Sequence, residues 1–386
     1  MRSFYFDYNA TAPIAEEVLE VFNRALRDCF GNASSIHHQG QTARQSLEKA
    51  RRQVCSLIGC QSKELVFGSG GTEADNHAIF GAVQRIARPH IITSAIEHPA
   101  VLGSVAEIGR RGGEVTLLPV TRSGVVDPDE VRRALRPNTV LISVMHVNNE
   151  VGTIQPVQAI ARIAREAGVL MHCDGVQAAG RMPVNVRELD LDLYSISGHK
   201  MRGPKGVGAL YVRKSVELSS LLFGGRHENG RRAGTESTPA IVAMGKAAEL
   251  SAANLAASVA RIAALRDRLE QGILERIPDV SVNGAGAERA SNTTNLRFDG
   301  IEGESLVIAL DLKGFCVSSG SACSSGAVEP SHVLLAMGLS KQDAKSSVRF
   351  SLGPENTAEQ VDRLIESVAE CTSHLRRLSP TYTAHV

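Results

Sequence analysis

The sequence predicts an α/β fold, with a large domain built on a mostly parallel sheet and a smaller α+β domain. Short apolar segments typical of buried strands alternate with helical periodicity up to about residue 240. This alternation is typical of a parallel sheet that helices cover on both faces. An alanine-rich helical stretch and shorter elements follow. We therefore expect a large domain over residues 14–240 and a small domain formed by residues 1–13 and 241–386.

The individual elements follow from the local pattern. Predicted strands cover residues 64–69, 90–94, 114–120, 139–145, 168–174, 191–197 and 207–213. Predicted helices cover residues 18–26, 42–58, 157–166 and 241–277, with a further helix that begins near residue 72. Ligands of α/β proteins bind beyond the carboxyl ends of such strands. Polar residues that follow a strand are therefore the first candidates for a functional site.

The charge balance and the apolar pattern exclude several classes of partner. Lys and Arg number 42 and Asp and Glu 41, for a net charge of +1, which argues against nucleic acid or an anionic membrane as the main partner. No apolar run is long enough to span a membrane. The N-terminal residues MRSFYFDYNATAP lack the apolar core of a signal peptide, so we expect a cytoplasmic protein.

The cysteines do not form a recognisable framework. They are odd in number and scattered, without a CxxC pair, at positions Cys29, Cys55, Cys60, Cys173, Cys316, Cys323 and Cys371. Neither a set of disulfides nor a metal site is indicated.

Lys200 is the first candidate for chemistry. It follows Ser197, Gly198 and His199 in a tight turn after a strand, and a glycine-rich return comes next. A lysine beside hydroxyl and imidazole donors suits a Schiff base to an aldehyde, for which it must lose its proton. An exposed lysine that caps a turn is the alternative.

Asp174 ends another predicted strand, and Gln177 follows in the next turn. An aspartate at this place would pair with a protonated pyridine nitrogen, and the glutamine would hydrogen-bond a phenolic oxygen on the same ring. Taken alone, Asp174 is better explained as a helix cap.

Three further strand ends carry compatible groups. The turn GSGGTEADN (68–76) brings glycines and Thr72 to a helix start, where backbone N–H groups and the helix dipole bind anions. His98 stands between a strand and a helix, where it would stack on a ring and move protons, or serve only a structural role. Asn148 and Asn149 follow a third strand and are otherwise turn formers. Pyridoxal phosphate is the cofactor that all five strand ends fit together.

Longer motifs extend this pattern into a family resemblance. They are YFDYNATAP, FGNASSIHHQG, SGGTEADN, EHPAV, MHVNNEVGT, SGHK, GRRAGTE, SSGSACSSGAVEPSH and SSVRFSLG. From end to end the chain resembles the group I cysteine desulfurases of the NifS/IscS type. These are class V aminotransferase-like enzymes of fold-type I, which bind pyridoxal phosphate. The resemblance implies a seven-stranded, mostly parallel sheet in the large domain.

The resemblance also implies a role for each candidate residue. Lys200 would form the Schiff base and then shuttle protons, Asp174 would hold the pyridine nitrogen, and His98 would stack on the ring as acid and base. The implied cofactor-binding residues are Gly71, Thr72, His98, Asn149, Asp174, Gln177, Ser197, His199, Lys200 and Thr235, the last donated by the neighbouring subunit of a homodimer. Asn149 and Arg349 would bind the substrate carboxylate, the arginine through its bidentate fork.

Cys323 is the implied nucleophile. It lies in CVSSGSACSSG (316–326), where serine and glycine predict a mobile cysteine loop over residues 316–330 or so. A persulfide carrier needs such freedom, whereas an inert loop thiol is the alternative. Cys316, beside apolar neighbours, is expected to serve packing.

The implied activity is a cysteine desulfurase. L-cysteine would yield L-alanine and a Cys323 persulfide, passed to an acceptor protein such as an iron–sulfur scaffold. A transient iron–sulfur cluster held through Cys323 is a further hypothesis. A selenocysteine lyase, a class V aminotransferase and a non-catalytic scaffold are the alternatives. Only the desulfurase requires both Lys200 and Cys323 for its reaction.

Overall fold

The computed structural model of the chain describes residues 3–319, 329–379 and 382. The strands in these residues are β1 (Phe4–Tyr5), β2 (Leu65–Gly68), β3 (His90–Ser94), β4 (Glu114–Leu118), β5 (Thr139–Ser143), β6 (Leu170–Asp174), β7 (Leu193–Ser197), β8 (Gly208–Val212), β9 (Val280–Val282), β10 (Thr293–Phe298), β11 (Phe315–Cys316) and β12 (Ser347–Ser351). The helices are α1 (Glu16–Asp28), α2 (His38–Ile58), α3 (Gly71–Val83), α4 (Pro99–Arg110), α5 (Pro128–Ala134), α6 (Val157–Ala167), α7 (Thr238–Arg276), α8 (Gly303–Leu312), α9 (His332–Ala336), α10 (Lys341–Lys345) and α11 (Ala358–Leu378).

Seven of the strands form one sheet in the order β2-β8-β7-β6-β5-β3-β4. The five strands from β7 to β4 run parallel, whereas β8 is antiparallel to both of its neighbours. All seven predicted strands are present, and the predicted α/β fold with a mostly parallel sheet is confirmed. The carboxyl ends of the parallel strands therefore meet at one edge, where the candidate residues lie.

Alternate strand residues fill two hydrophobic cores, one on each face of the sheet. In β3, Ile91 packs with α3 and α4, and Ile92 packs in the core that contains residues of α2, α6 and α7. Both side chains are fully buried. Burial on both faces explains why the strands are continuously apolar in the sequence.

The smaller unit is built on the three-stranded antiparallel sheet β12-β10-β9. Its core includes side chains of α8, α11 and the last part of α7. The N-terminal strand β1 pairs in parallel with β11, and Phe6 is buried in the same core. The N-terminal segment therefore packs with this unit.

Helix α7 joins the two parts of the chain. Its first turns, around Met244, lie in the core of the large sheet, and Leu269 lies in the core of the smaller unit. The helix runs unbroken from Thr238 to Arg276, so the predicted division at residue 240 stays a prediction. Within the described residues, no helix combines the length and apolar character needed to cross a membrane.

Candidate active site

Lys200 lies in a single turn of 3-10 helix, Gly198–Met201, directly after β7. Its Nζ donates hydrogen bonds to the carbonyl oxygens of Asn9 and Ala10, the latter at 2.8 Å. Burial lowers the pKa of Lys200 to about 7, with help from Arg181 and Arg349. A large share of this amine is therefore neutral at pH 7, as attack on an aldehyde requires.

Asp174 is the last residue of β6, and it is buried. Its Oδ1 accepts a hydrogen bond from the backbone N–H of Val176 at 2.9 Å. Burial raises the pKa of Asp174, while this hydrogen bond, His98 and Lys200 act in the opposite direction. A buried carboxylate in this position favours a cationic partner, and a pyridinium N–H is one.

His98 precedes α4 and caps its first turn. The ring Nδ1 accepts the backbone N–H of Ala100 at 3.1 Å, so a neutral ring carries its proton on Nε2. Burial lowers the pKa of His98, Asp174 opposes this effect, and Lys200 and His332 add to it. The imidazole is therefore neutral near pH 7 and able either to donate or to accept a proton.

The start of α3 lies against the ends of two strands. A Cβ on Gly71 would lie 2.8 Å from Cγ2 of Val176 and 3.7 Å from Cβ of Ser197. Glycine is required here because the helix start approaches the turns after β6 and β7 this closely. The backbone N–H groups of the first turn, the exposed Thr72 and the buried Ser197 lie at the positive end of this helix, a position that favours anions.

His199 and Thr235 are the two other predicted phosphate contacts. Nδ1 of His199 lies 3.0 Å from Oγ1 of Thr11, and burial lowers the pKa of His199 to about 4. Thr235 is exposed and lines a small cavity of about 120 Å³ together with Ser69 and Gly206 of the same chain. Its role across a subunit interface stays a prediction.

Arg349 of β12 reaches the end of the large sheet. Nη1 donates to the backbone oxygen of Asn149 at 3.0 Å, and Nη2 lies 2.6 Å from Oδ1 of Asp7. The buried Nε has no hydrogen-bond partner among the described residues. Nη2 of the guanidinium therefore already binds the carboxylate of Asp7. Among the described residues, the N–H group of Nε is an unused hydrogen-bond donor.

Sequence reasoning missed the N-terminal segment and Arg181. Arg181 donates to the side-chain oxygen of Asn9 at 2.7 Å and to the side chain of Gln177, whose Nε2 donates to the backbone oxygen of Asn9 at 3.0 Å. The Lys200 amine bonds the same backbone oxygen. The only signal for this contact was the motif DYNATAP, whose spatial position the sequence did not reveal.

Cys323 lies outside the described residues, but both flanks of its segment are described. On one side, Ser318 and Arg349 exchange two backbone hydrogen bonds, N···O 3.2 and 2.6 Å. On the other side, Oγ of Ser331 donates to Glu150 at 2.5 Å, and Nε2 of His332 lies 2.9 Å from the backbone oxygen of Glu97. Both flanks are thus fixed to neighbours of the candidate site residues.

The chain is similar to known proteins in both its sequence and its structure. The chain matches the class-V aminotransferase family over residues 4–364. It is 47% identical over 381 residues to the cysteine desulfurase IscS of Methanosarcina thermophila, covering 98% of this chain and 94% of the relative. A solved NifS-like protein superimposes with a TM-score of 0.91 at 35% identity, covering 97% of this chain and all of that one. The structure of SspA in complex with cysteine gives a TM-score of 0.81 at 36% identity, covering 92% and 99% of the two chains.

Proposed function

Since the chain belongs to the cysteine desulfurases of the class-V aminotransferase family, we propose that it uses the residues described above and Cys323 to take the sulfur atom from L-cysteine. One observation carries the proposal. The Lys200 amine with its lowered pKa, the buried Asp174 and both flanks of the segment that holds Cys323 meet at one edge of the sheet. The family relies on pyridoxal phosphate, and the donor set fits that cofactor.

Each part of the cofactor has a matching group. Lys200 would hold it covalently, Asp174 would face the ring nitrogen, and His98 would lie on the ring. The phosphate would bind the cradle formed by Gly71, Thr72 and Ser197, with His199 and Thr235 as further proposed contacts, and Gln177 would face the phenolic oxygen. When bound, the cofactor withdraws electrons from the α-carbon of an attached amino acid.

Lys200 and His98 would move the protons. With a pKa of about 7, Nζ of Lys200 both accepts and releases a proton near neutral pH. His98, with its proton on Nε2, would serve at the sulfur or at the cofactor. Arg349 would orient the substrate carboxylate together with Asn149, since its Nε is unused in the described residues.

The sulfur transfer itself belongs to Cys323. Its thiolate would attack the substrate sulfur and form a new S–S bond, while the bond between that sulfur and the substrate β-carbon breaks. The electron pair stays on carbon, which takes a proton and becomes the methyl group of L-alanine. A thiol with a pKa of about 8.5 is a few per cent thiolate at pH 7 and still strongly nucleophilic.

A direct test compares the wild type with Cys323→Ala in the presence of L-cysteine and dithiothreitol. We expect both proteins to be yellow, and only the wild type to release sulfide and alanine in equal amounts. Cys316→Ala is the matched control, since this half-buried cysteine of β11 lies outside the mechanism, and it keeps its activity. Equal sulfide release by Cys323→Ala refutes the thiol step.

The same assay separates the alternatives. A selenocysteine lyase would release selenide from selenocysteine in Cys323→Ala as fast as in the wild type. A class V aminotransferase would form a 2-oxo acid rather than alanine. From the desulfurase we expect no 2-oxo acid, and no release of selenide by Cys323→Ala as fast as by the wild type.

We further propose a cytoplasmic homodimer that passes the persulfide sulfur to an acceptor protein, such as an iron–sulfur scaffold. A transient cluster on Cys323 during this transfer belongs to the same proposal. Sedimentation velocity tests the dimer. Mass spectrometry of the acceptor after incubation with L-cysteine tests the transfer, with the Cys323→Ala enzyme as control.

A further inference from the structure

A second buried aspartate, Asp75, lies near Asp174. No step of the proposed reaction uses Asp75. Asp75 belongs to α3, one helical turn after Thr72, and is 1% exposed. Neither carboxylate oxygen has a hydrogen bond of ordinary geometry among the described residues. Nε2 of His172 lies 3.6 Å from Oδ1, too far for a hydrogen bond.

The groups around Asp75 form a chain across three strands. His172 of β6 is fully buried, with Nδ1 2.8 Å from Oγ of Ser143 on β5 and Nε2 3.0 Å from Oγ of Ser195 on β7. His172 and Ser195 stand two positions before Asp174 and Ser197 on their strands. This series of hydrogen-bonded side chains therefore lies next to α3, β6 and β7. These three elements carry the candidate residues Thr72, Asp174 and Ser197.

The titratable groups that face Asp75 in the described residues supply no cation at pH 7 to balance a second anion. They are the carboxyl groups of Asp174 and Glu97, the thiol of Cys173 and the imidazole of His172. Burial raises the pKa of Asp75, and Asp174 raises it further, against the effect of the Ser195 hydroxyl. Burial also raises the pKa of Glu97 to about 8 and lowers that of His172 to about 3, so these two groups are neutral at pH 7. A buried anion without a cation or hydrogen bonds is costly.

We propose that Asp75 is a neutral carboxylic acid, so that Asp174 is the single anion next to the cofactor. Asp75 also positions the neighbouring strands β6 and β7. This inference rests on the proposed function, because Asp174 needs a charge only if a pyridinium ring binds there. The proton of Asp75 is directed to Oγ of Ser195, and the hydroxyl of Ser195 donates to Nε2 of His172. Nδ1–H of His172 then donates to Oγ of Ser143. This order gives the protons of Asp75, Ser195 and His172 an acceptor each.

The test uses Asp75→Asn, which keeps the shape and neutrality of the acid, and Asp75→Ala, which removes the group. Infrared difference spectra of wild type minus Asp75→Asn report a protonated carboxyl group by its C=O band. Binding of pyridoxal phosphate and the pH midpoint of its absorbance band are measured for all proteins. The control is Asp192→Asn, a buried aspartate whose Oδ1 lies 3.0 Å from both Arg165 and Arg213.

We expect the C=O band in the difference spectrum for Asp75→Asn and none for Asp192→Asn. Asp75→Asn is expected to bind the cofactor within about twofold of the wild type with an unchanged pH midpoint, and Asp75→Ala about tenfold more weakly. Absence of the band, or a shift of the midpoint by a full pH unit in Asp75→Asn, overturns the neutral acid. Cofactor binding by folded Asp75→Ala as tight as the wild type overturns the positioning role.

Failure of the proposed function is distinguishable from these results. A wild type that binds no pyridoxal phosphate refutes that function, and the positioning role with it. The infrared band, recorded in the cofactor-free protein as well, still decides the protonation of Asp75. If Asp75→Ala does not fold, as its thermal unfolding would show, the Asp75→Asn measurements decide the inference.

Discussion

Replacement of Lys200 by methionine is expected to change how the stability of the cofactor-free protein depends on pH. Burial first, and then Arg181 and Arg349, lower the pKa of Lys200 from 10.5 to about 7. At about 1.4 kcal/mol per pKa unit, this shift means that the charged amine destabilises the folded state by at most about 5 kcal/mol. The two hydrogen bonds from Nζ to the carbonyls of Asn9 and Ala10 offset about 1 kcal/mol each.

The direction of this pH dependence follows from whether the folded or the unfolded state binds the proton of Lys200. Below pH 7 both states carry it, so the folded wild type bears the full cost and Lys200→Met is more stable by about 3 kcal/mol. Between pH 7 and 10.5 the folded amine is neutral while the unfolded amine is charged. Unfolding then takes up a proton, and the wild type gains about 1.4 kcal/mol per pH unit on the variant.

Urea unfolding of both cofactor-free proteins from pH 6 to pH 9 measures this difference. Lys205→Met is the matched control, because Lys205 is an exposed lysine of the same loop, and its difference from the wild type should not vary with pH. If the curves of the wild type and Lys200→Met run parallel over this range, the lowered pKa of Lys200 is wrong.

Two further substitutions test contacts of the site and of its supporting loop. Arg349→Lys keeps the charge but loses the planar fork, so we expect the KM for L-cysteine to rise about ten- to hundredfold, with little change for the half-exposed control Arg297→Lys. Glu228→Gln leaves the buried Arg51 without the carboxylate that binds its Nη1 and Nη2 at 2.8 and 2.7 Å, so the free energy of unfolding should fall by about 3 kcal/mol. Glu48→Gln, at the exposed partner of Arg51, should cost less than about 1 kcal/mol; equal losses in the two variants would contradict the distinction.

Much of the fold was predictable because the central sheet is buried on both faces. That burial demands continuous apolar strands, so the seven segments are visible without any knowledge of their neighbours. The observed strands are shorter than several predicted ones, for example Thr139–Ser143 within the predicted 139–145. Beyond Ser143 the backbone N–H groups of Val144 and His146 still donate to the carbonyl oxygens of His172 and Asp174 in β6, and Val144 remains buried and apolar, which explains the longer apolar segment in the sequence.

The sequence by itself determined the strands, the glycine turn before α3 and the position of Lys200, Asp174 and His98 at strand ends. These features are local, since each depends on a short segment and on the rule that parallel strands share one edge. Only the tertiary structure decided the lowered pKa of Lys200, the contacts of Asn9 with Lys200 and Gln177, and the placement of Asp75 behind Asp174. Their physical reason is burial and charge among segments far apart in the chain, which no local pattern encodes.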